Sequence, residues 1–424
     1  MEPQNNRIGF VSTRLSGTDG VSLEVRKWVK VLEGIGNDCY YFAGESEWPE
    51  NKSYVVPEAH FEYPTIRKIN VDLFDDYIRS PDTSRNIEAI KNHLKGHLYK
   101  FIEQFDINII ILENIMAIPM NVPLGLAMTE LIAETSIPTI GHHHDFAWER
   151  SRFSVSAADD YLNAAIPATL KPINHVVINS YAQRQLARRT GASSIVIPNV
   201  MDFDTPPPQS DGYADDLRDV LDIQPEYFML LQPTRIVPRK RIEFAIGLSA
   251  RLKLPNVVVI SHASGDEGSE YLSFLIEFID LFGVEVRFAA DIFDVERGRT
   301  KDNKKIYSLA DAYNPADIVT YPSTIEGFGN AFLEAIYFKK PIVMSTYEIY
   351  RIDIRPKGFK VIEFSDFITE NTVEKTRELL LNPSLSEEMC DINFEIGRRN
   401  YSFTNLERLL VALIDQCQID SYQI

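Results

Sequence analysis

Cysteine is almost missing from this chain: three thiols, Cys39, Cys390 and Cys417, in 424 residues. They are scattered, odd in number and without metal-ligand spacing. Neither a disulfide framework nor a zinc site is indicated, and a reducing, cytoplasmic setting fits best. Long apolar runs are missing as well. No window reaches the roughly 18 apolar residues of a membrane-spanning helix, and the opening MEPQNNRIGF shows no basic-then-apolar leader. Positive charge is in deficit: 43 Lys and Arg against 61 Asp and Glu leave a net charge of −18. That balance excludes a nucleic-acid footprint and disfavours docking on anionic membranes. A phosphate-bearing ligand must then be held by a few placed cations rather than by a general positive field. Short-period repeats and low-complexity tracts are absent too.

What is present is the composition of a soluble globular protein, 45% apolar and 25% charged, in a length that suggests two domains. A strand at Arg7–Ser12 leads into a loop, Thr13–Gly20, and then a helix marked by Val21, Val25, Trp28, Leu32 and Ile35 at helical spacing. A strand at Asp38–Ala43 follows, which makes a Rossmann-like opening. Gly17 and Gly20 do not complete GxGxxG, so a nicotinamide dinucleotide is not inferred. A helix over Ser84–Phe105 and apolar strands at Asn108–Leu112, Pro138–Gly141, His175–Asn179 and Ser194–Pro198 complete a first half. Residues 203–216, FDTPPPQSDGYADD, change character and read as a linker.

The pattern then restarts, with strands expected at Tyr227–Gln232, Asn256–Ser261, Val284–Ala289, Asp317–Tyr321, Pro341–Ser345 and Phe359–Phe364. Short apolar strands alternating with helices point to parallel sheets covered on both faces. The tail, Ile392–Ile414, reads as an amphipathic helix able to return to the first half. The expected architecture is α/β: two Rossmann-like domains facing a cleft. The first spans 1–205, with a C-terminal helix of about 405–424 packing back on it, and the second spans 217–404.

Three stretches carry candidate chemistry. In Tyr321–Glu334, YPSTIEGFGNAFLE, Glu326 and Glu334 are separated by seven residues and enclose Gly327 and Gly329. A strand, glycine turn and helix aim backbone N–H groups and a positive dipole end at an anion. Carboxylates beside it suit sugar hydroxyls. The plain alternative is a βα turn with two solvated glutamates. In Thr234–Lys240, TRIVPRK, Arg235 and Lys240 flank a proline turn at a strand's C-terminal end. Two cations there suit a diphosphate leaving group; the plain alternative is basic decoration of a helix start. In Gly141–Asp145, GHHHD, three readings stand: a metal site, a sugar-contacting loop, or a polar loop without a role. Consecutive residues after a strand diverge, which limits how many imidazoles reach one ion. Arg150 and Arg152 follow and could meet an anionic acceptor.

Together these residues resemble the glycosyltransferase family 4 group of retaining, nucleotide-sugar-dependent enzymes with the GT-B fold. The run ADIVTYPSTIEGFGNAFLEAIYFKKPIVMS (316–345) is similar to the family signature, and TRIVPRK to its arginine–lysine clamp. GVSLE (20–24), VINS (177–180), IPNVMD (197–202) and GHHHDF (141–146) resemble its first-half segments. The glycine loop is longer than usual, and Val200 stands where glycine is common. The resemblance spans nearly the whole chain.

It implies that Glu334 binds the ribose and Glu326 the donor sugar, with the Gly327, Phe328 and Gly329 amides near sugar and phosphate. Arg235 and Lys240 would neutralise the diphosphate, and Gly17 to Gly20 would approach the phosphates or the acceptor. His144 would sit near the donor's C6 hydroxyl or the reacting centre, with His143, His144, Asp145, Arg150 and Arg152 on the substrate side. Retention is expected by front-face attack assisted by the leaving diphosphate, without a required metal or other cofactor. GDP-mannose and UDP-glucose are both open as donor. The acceptor is expected to be a small soluble molecule, as for makers of mannosylglucosylglycerate or sucrose phosphate, and Arg351 and Arg355 could read a carboxylate or phosphate on it. The competing readings are a GT-B nucleotide-sugar 2-epimerase and a non-catalytic sugar-nucleotide binder.

Overall fold

The structure, a computed structural model, describes residues 5–17, 19–264, 269–294 and 296–421. Met1–Gln4 of the N-terminus, Thr18 of the glycine loop and the last three residues of the tail lie outside them. The chain forms two compact units, Met1–Val200 with Phe403–Ile424, and Met201–Ser402.

The first unit is built on seven strands: β1 (Arg7–Val11), β2 (Asp38–Ala43), β3 (Ser53–Val55), β4 (Ile109–Glu113), β5 (Thr139–His143), β6 (Ile173–Val177) and β7 (Ser194–Val196). They lie in the order β3-β2-β1-β4-β5-β6-β7, and every pair is parallel. All five residues of β4 and of β5 are buried. Helices cover both faces, so β4 reads as an almost continuous apolar run rather than as alternation. On one face Ile8, Phe10 and Ile111 meet Trp28 and Leu32 of the helix Gly20–Gly34. On the other, Val11 and Ile110 meet Leu94, Leu98 and Phe101 of the helix Pro81–Phe105. That helix begins earlier than its apolar pattern, because Ser80 caps it and Pro81 takes the first position, where a missing N–H costs nothing.

The tail is two helices rather than one. Pro383–Tyr401 ends at Ser402, which is extended (φ −80°, ψ 165°), and Phe403–Ser421 restarts beyond it. Leu406, Leu410 and Leu413 of this last helix join the face that holds Trp28 and Leu32. The break separates the helix of the second unit from the helix of the first.

The second unit carries β8 (Phe228–Gln232), β9 (Asn256–Ile260), β10 (Val286–Phe288), β11 (Phe293–Asp294), β12 (Gly298–Arg299), β13 (Lys305–Ser308), β14 (Ile318–Tyr321), β15 (Ile342–Ser345) and β16 (Ile362–Phe364). The main sheet runs β10-β9-β8-β14-β15-β16, and β11, β13 and β12 make a small side sheet with no apolar signature in the sequence. Residues 203–216 are anchored in this unit. Phe203 packs where Gly397 leaves room, since a Cβ there would lie 2.7 Å from the ring. The Tyr213 hydroxyl donates to the Ile306 carbonyl at 2.8 Å, and Asp216 accepts from Lys305 at 2.7 Å.

Both main sheets therefore have the Rossmann order, reversing between β1 and β4 in one and between β8 and β14 in the other. Ligands of open α/β sheets bind outside the C-terminal strand ends at such a reversal. No helix among the described residues is long and apolar enough to cross a membrane.

Candidate active site

In the second unit the loops after β8 and β14 are tied together at the reversal point. The Thr324 amide donates to the Arg239 carbonyl at 3.0 Å. Arg239 Nη1 donates to the Ile325 carbonyl at 3.2 Å and lies 3.5 Å from Glu326 Oε2. Lys240 Nζ donates to Glu326 Oε1. The Lys240 and Glu326 side chains are only 10% and 9% exposed. Burial works to raise the Glu326 carboxyl, but Lys240 and then Arg239 outweigh it and hold it below the usual carboxylate range. Burial lowers the Lys240 ammonium, against the pull of Glu326. The cation expected on the diphosphate and the carboxylate expected on the sugar are thus each other's partners. Arg235 does not join them: it is exposed, and among the described residues no hydrogen bond or ion pair holds its guanidinium.

Past Glu326 the backbone turns at Gly329, at φ +119°, which L-residues rarely adopt. A Cβ there would meet the Tyr347 hydroxyl at 2.4 Å; that hydroxyl donates to the Phe328 carbonyl at 2.7 Å. No side chain caps the helix Asn330–Tyr337 that starts here. The Phe328 ring is buried edge-on to Tyr401 at 5.2 Å, so only its backbone can serve a ligand, as can that of Gly327. Glu334 sits one turn into the helix, half-buried, and accepts from the Tyr313 hydroxyl at 2.9 Å.

In the first unit β5 runs on through His143, two residues past its expected end, and strand alternation sorts the histidines. His142 Nδ1 and His144 Nε2 both lie 3.0 Å from Glu113 Oε2, at the end of β4. Trp28 stacks on His142 at 4.1 Å. Burial works to raise Glu113, but His142 and His144 hold it well below the usual range. His143 turns the other way, fully buried, with Nε2 2.9 Å from His175 Nδ1. It is a core side chain, which corrects its expected place on the substrate side. Asp145 accepts from Asn114 at 3.0 Å and pairs with Arg150, so both are engaged in the protein. Arg152 lies over the Phe153 ring at 4.5 Å.

Two further expectations are modified. Gly17 (φ +81°) stands in open space, but Asp19 already accepts from the Val21 and Ser22 amides at the start of the helix that Gly20 opens. A carboxylate therefore occupies the helix N-terminus, in the loop expected to approach the phosphates or the acceptor. Arg355 pairs with Glu363 at 2.9 Å, whereas Arg351 lines a polar cavity of about 370 Å³ with Arg241, Thr324, Ser345 and Ser365. The sequence did not single out Glu113, Asn114, Arg239, Tyr313 or Tyr347. The available signals were a carboxylate ending an otherwise apolar strand and a third basic residue inside TRIVPRK.

The His143–His175 pair makes the first unit acid-sensitive. Burial pushes His175 down to about 4 and His143 well below its ordinary value. An unfolded histidine titrates near 6.5, so between pH 6.5 and 4 the unfolded state binds a proton that native His175 refuses. Stability is complete above that window and falls as pH drops through it, by about 3 kcal/mol for His175. His175→Asn keeps an acceptor for His143 but cannot titrate. Its Tm should fall less than that of the native protein between pH 6.5 and 4; parallel Tm–pH curves would reject the assignment.

Residues 213–393 match the family described as Glycosyl transferases group 1. The chain is 34% identical to a mannosylglucosylglycerate synthase of Petrotoga mobilis, over 84% of this chain and 86% of that one. It is 32% identical to a mannosylglucosylglycerate synthase of Thermotoga maritima, over 95% and 98%. Among solved structures, Anabaena HepE in complex with UDP-glucose superposes with a TM-score of 0.64 over 97% of this chain and 99% of that one. At 13% identity this likeness speaks for the fold alone. Two Rossmann-like units with this signature define a GT-B glycosyltransferase. The chain belongs to the group 1 glycosyltransferases, in the subgroup that makes small glycosides.

Proposed function

We propose that the protein transfers mannose, with retention, from a nucleotide diphosphate sugar to a hydroxyl of a small anionic acceptor of the glucosylglycerate kind. The observation that carries this reading is the junction of Lys240 and Arg239 with Glu326 at the β8/β14 reversal. It gathers two cations and a carboxylate where a sugar diphosphate binds in this fold class. The donor's diphosphate takes Lys240, with Arg235 closing from the exposed side, and frees Glu326 for the sugar hydroxyls. Glu334 accepts from the ribose, and the Gly327–Gly329 backbone lies against sugar and phosphate. His144 is a proposed contact to the transferred sugar.

Glu326 is engaged by Lys240 and Arg239, which favours a leaving-group-assisted route over a double displacement through that carboxylate. The acceptor hydroxyl therefore attacks on the face from which the diphosphate leaves and gives its proton to a diphosphate oxygen. Cationic stabilisation of that leaving group is the main catalytic demand. The relatives' names favour mannose and an acceptor bearing a carboxylate, and Arg150, Arg152 and Arg351 are the candidates to read it. Three buried free thiols suit the cytoplasm, where nucleotide sugars are made.

A thermal-shift panel of GDP, UDP and ADP and their mannose and glucose sugars tests the donor. A ligand at about 100 times its Kd stabilises by about 2.7 kcal/mol, so GDP-mannose should shift Tm clearly and the unmatched bases should not. Transfer to glucosylglycerate is then followed by NMR. An anomer inverted relative to the donor would overturn front-face retention, and stabilisation by UDP-glucose alone would reassign the sugar.

A further inference from the structure

The cluster at the ends of β4 and β5 is built for more than one hydrogen-bonded histidine. Glu113, His142 and His144 are buried, at 0%, 1% and 9% side-chain exposure. One ligand atom from each falls within 4.8 Å of the other two. Two ligands about 2.1 Å from a common ion, at 90–110° to each other, stand about 3.0–3.4 Å apart. The separations of His142 Nδ1 and His144 Nε2 from Glu113 Oε2 are both 3.0 Å. His142 and His144 share a face because β5 continues through His143; a loop there would have splayed them.

A second carboxylate stands beside the cluster. Glu24 and Trp28 are one turn apart on the helix Gly20–Gly34, and Trp28 stacks on His142. Glu24 is 1% exposed. Its Oε1 takes Lys27 at 2.6 Å, while its Oε2 is buried without a hydrogen-bond partner. Among the described residues the ion-pair partner of Glu24 is Lys27, which also donates to the Val200 carbonyl at 2.6 Å. A buried carboxylate oxygen left without a hydrogen bond is costly, and a dication among these groups would offset that cost. The Asn114 side-chain oxygen accepts from the His144 amide at 2.8 Å, which fixes the backbone that presents the second imidazole, as outer partners do around metal ligands.

We propose that Glu113, His142 and His144 bind one divalent cation of the zinc, manganese or cobalt class, with Glu24 as an adjoining carboxylate. Two imidazoles and one carboxylate suit such ions and not calcium or magnesium, which take oxygen ligands. Three protein ligands leave coordination positions for oxygen donors, and the contact assigned above to His144 then passes to the cation. The site stands whether or not the proposed sugar donor is right.

The full-length protein, stripped with chelator and dialysed, is titrated with Zn2+, Mn2+, Co2+ and Mg2+ by calorimetry and thermal shift. One equivalent of a transition-metal ion should bind and raise Tm, and Mg2+ should do neither. The Co2+ form should show a d–d band of nitrogen and oxygen ligation without a thiolate charge-transfer band. Glu113→Gln, which keeps the side chain's shape, and His144→Ala should each weaken binding at least 100-fold. No stoichiometric binding by the native protein, or binding unchanged in Glu113→Gln, overturns the proposal. The cobalt spectrum decides the question on the native protein should either variant fail to fold.

Discussion

Lys240→Ala should lower kcat about 10²- to 10³-fold, the usual consequence of removing one preorganised charge that stabilises a developing anion. Lys240 is the most enclosed cation of the second-unit site, 8% exposed, so water cannot replace its ammonium at the leaving diphosphate. The same enclosure makes the substitution costly for the fold. Without Lys240, the cation left to Glu326 among the described residues is Arg239 at 3.5 Å, and a nearly buried carboxylate losing its main partner costs about 3–5 kcal/mol. Turnover and stability therefore fall together in this variant, and measuring both separates them. Glu326→Gln retains the shape and removes the charge, and a matching loss of kcat is expected there. In the double variant Lys240→Met with Glu326→Gln, stability should recover relative to Lys240→Ala because no buried charge is left unpaired, Arg239 being half exposed, while turnover stays low. A Lys240→Ala protein with native turnover, assayed well below its Tm, would remove Lys240 from the mechanism.

Gly329→Ala is the second large effect, and it acts through the backbone. The residue holds φ +119°, and the new Cβ would meet the Tyr347 hydroxyl at 2.4 Å and the Tyr321 hydroxyl at 3.3 Å. Backbone strain of this kind costs about 1–3 kcal/mol, and forcing an extra methyl into a filled space adds about as much. For a unit of about 200 residues, 1 kcal/mol shifts Tm by about 2–4 °C. A fall of about 5–15 °C is expected, with donor affinity weakened at least tenfold as the Glu326–Gly329 turn moves. Tyr347→Phe removes the nearer hydroxyl. Added to Gly329→Ala, it should restore the steric part of the loss and not the φ part. Unchanged Tm and donor Kd in Gly329→Ala would show that the turn bears neither strain nor ligand.

The sequence made the sheets legible because parallel strands buried on both faces are apolar throughout, as in NIIIL at 108–112 and NVVVI at 256–260. Lys240 and the two glutamates could be singled out because TRIVPRK and the glutamate pair are each a local pattern at a strand end. Element ends were less so. β5 runs two residues further than its apolar stretch because His142 and His143 are buried by partners from other strands, Glu113 and His175. The side sheet β11–β13 was invisible because its strands are two to four residues long and only one of their eight positions is fully buried.

By itself the sequence determined which segments are strands, which turns end them at the ligand-binding edge, and which cations and carboxylates those turns carry. All of these follow from local spacing and burial. Only the tertiary structure decided the pairings: Lys240 with Glu326 across 86 residues, Glu113 with His142 across 29, and His143 with His175 across 32. The reason is physical. Which strand ends lie side by side depends on the order β8-β14 and β4-β5-β6 within each sheet, a property of the whole chain's packing. Whether a histidine meets a carboxylate or another histidine is fixed by strand alternation once that order exists.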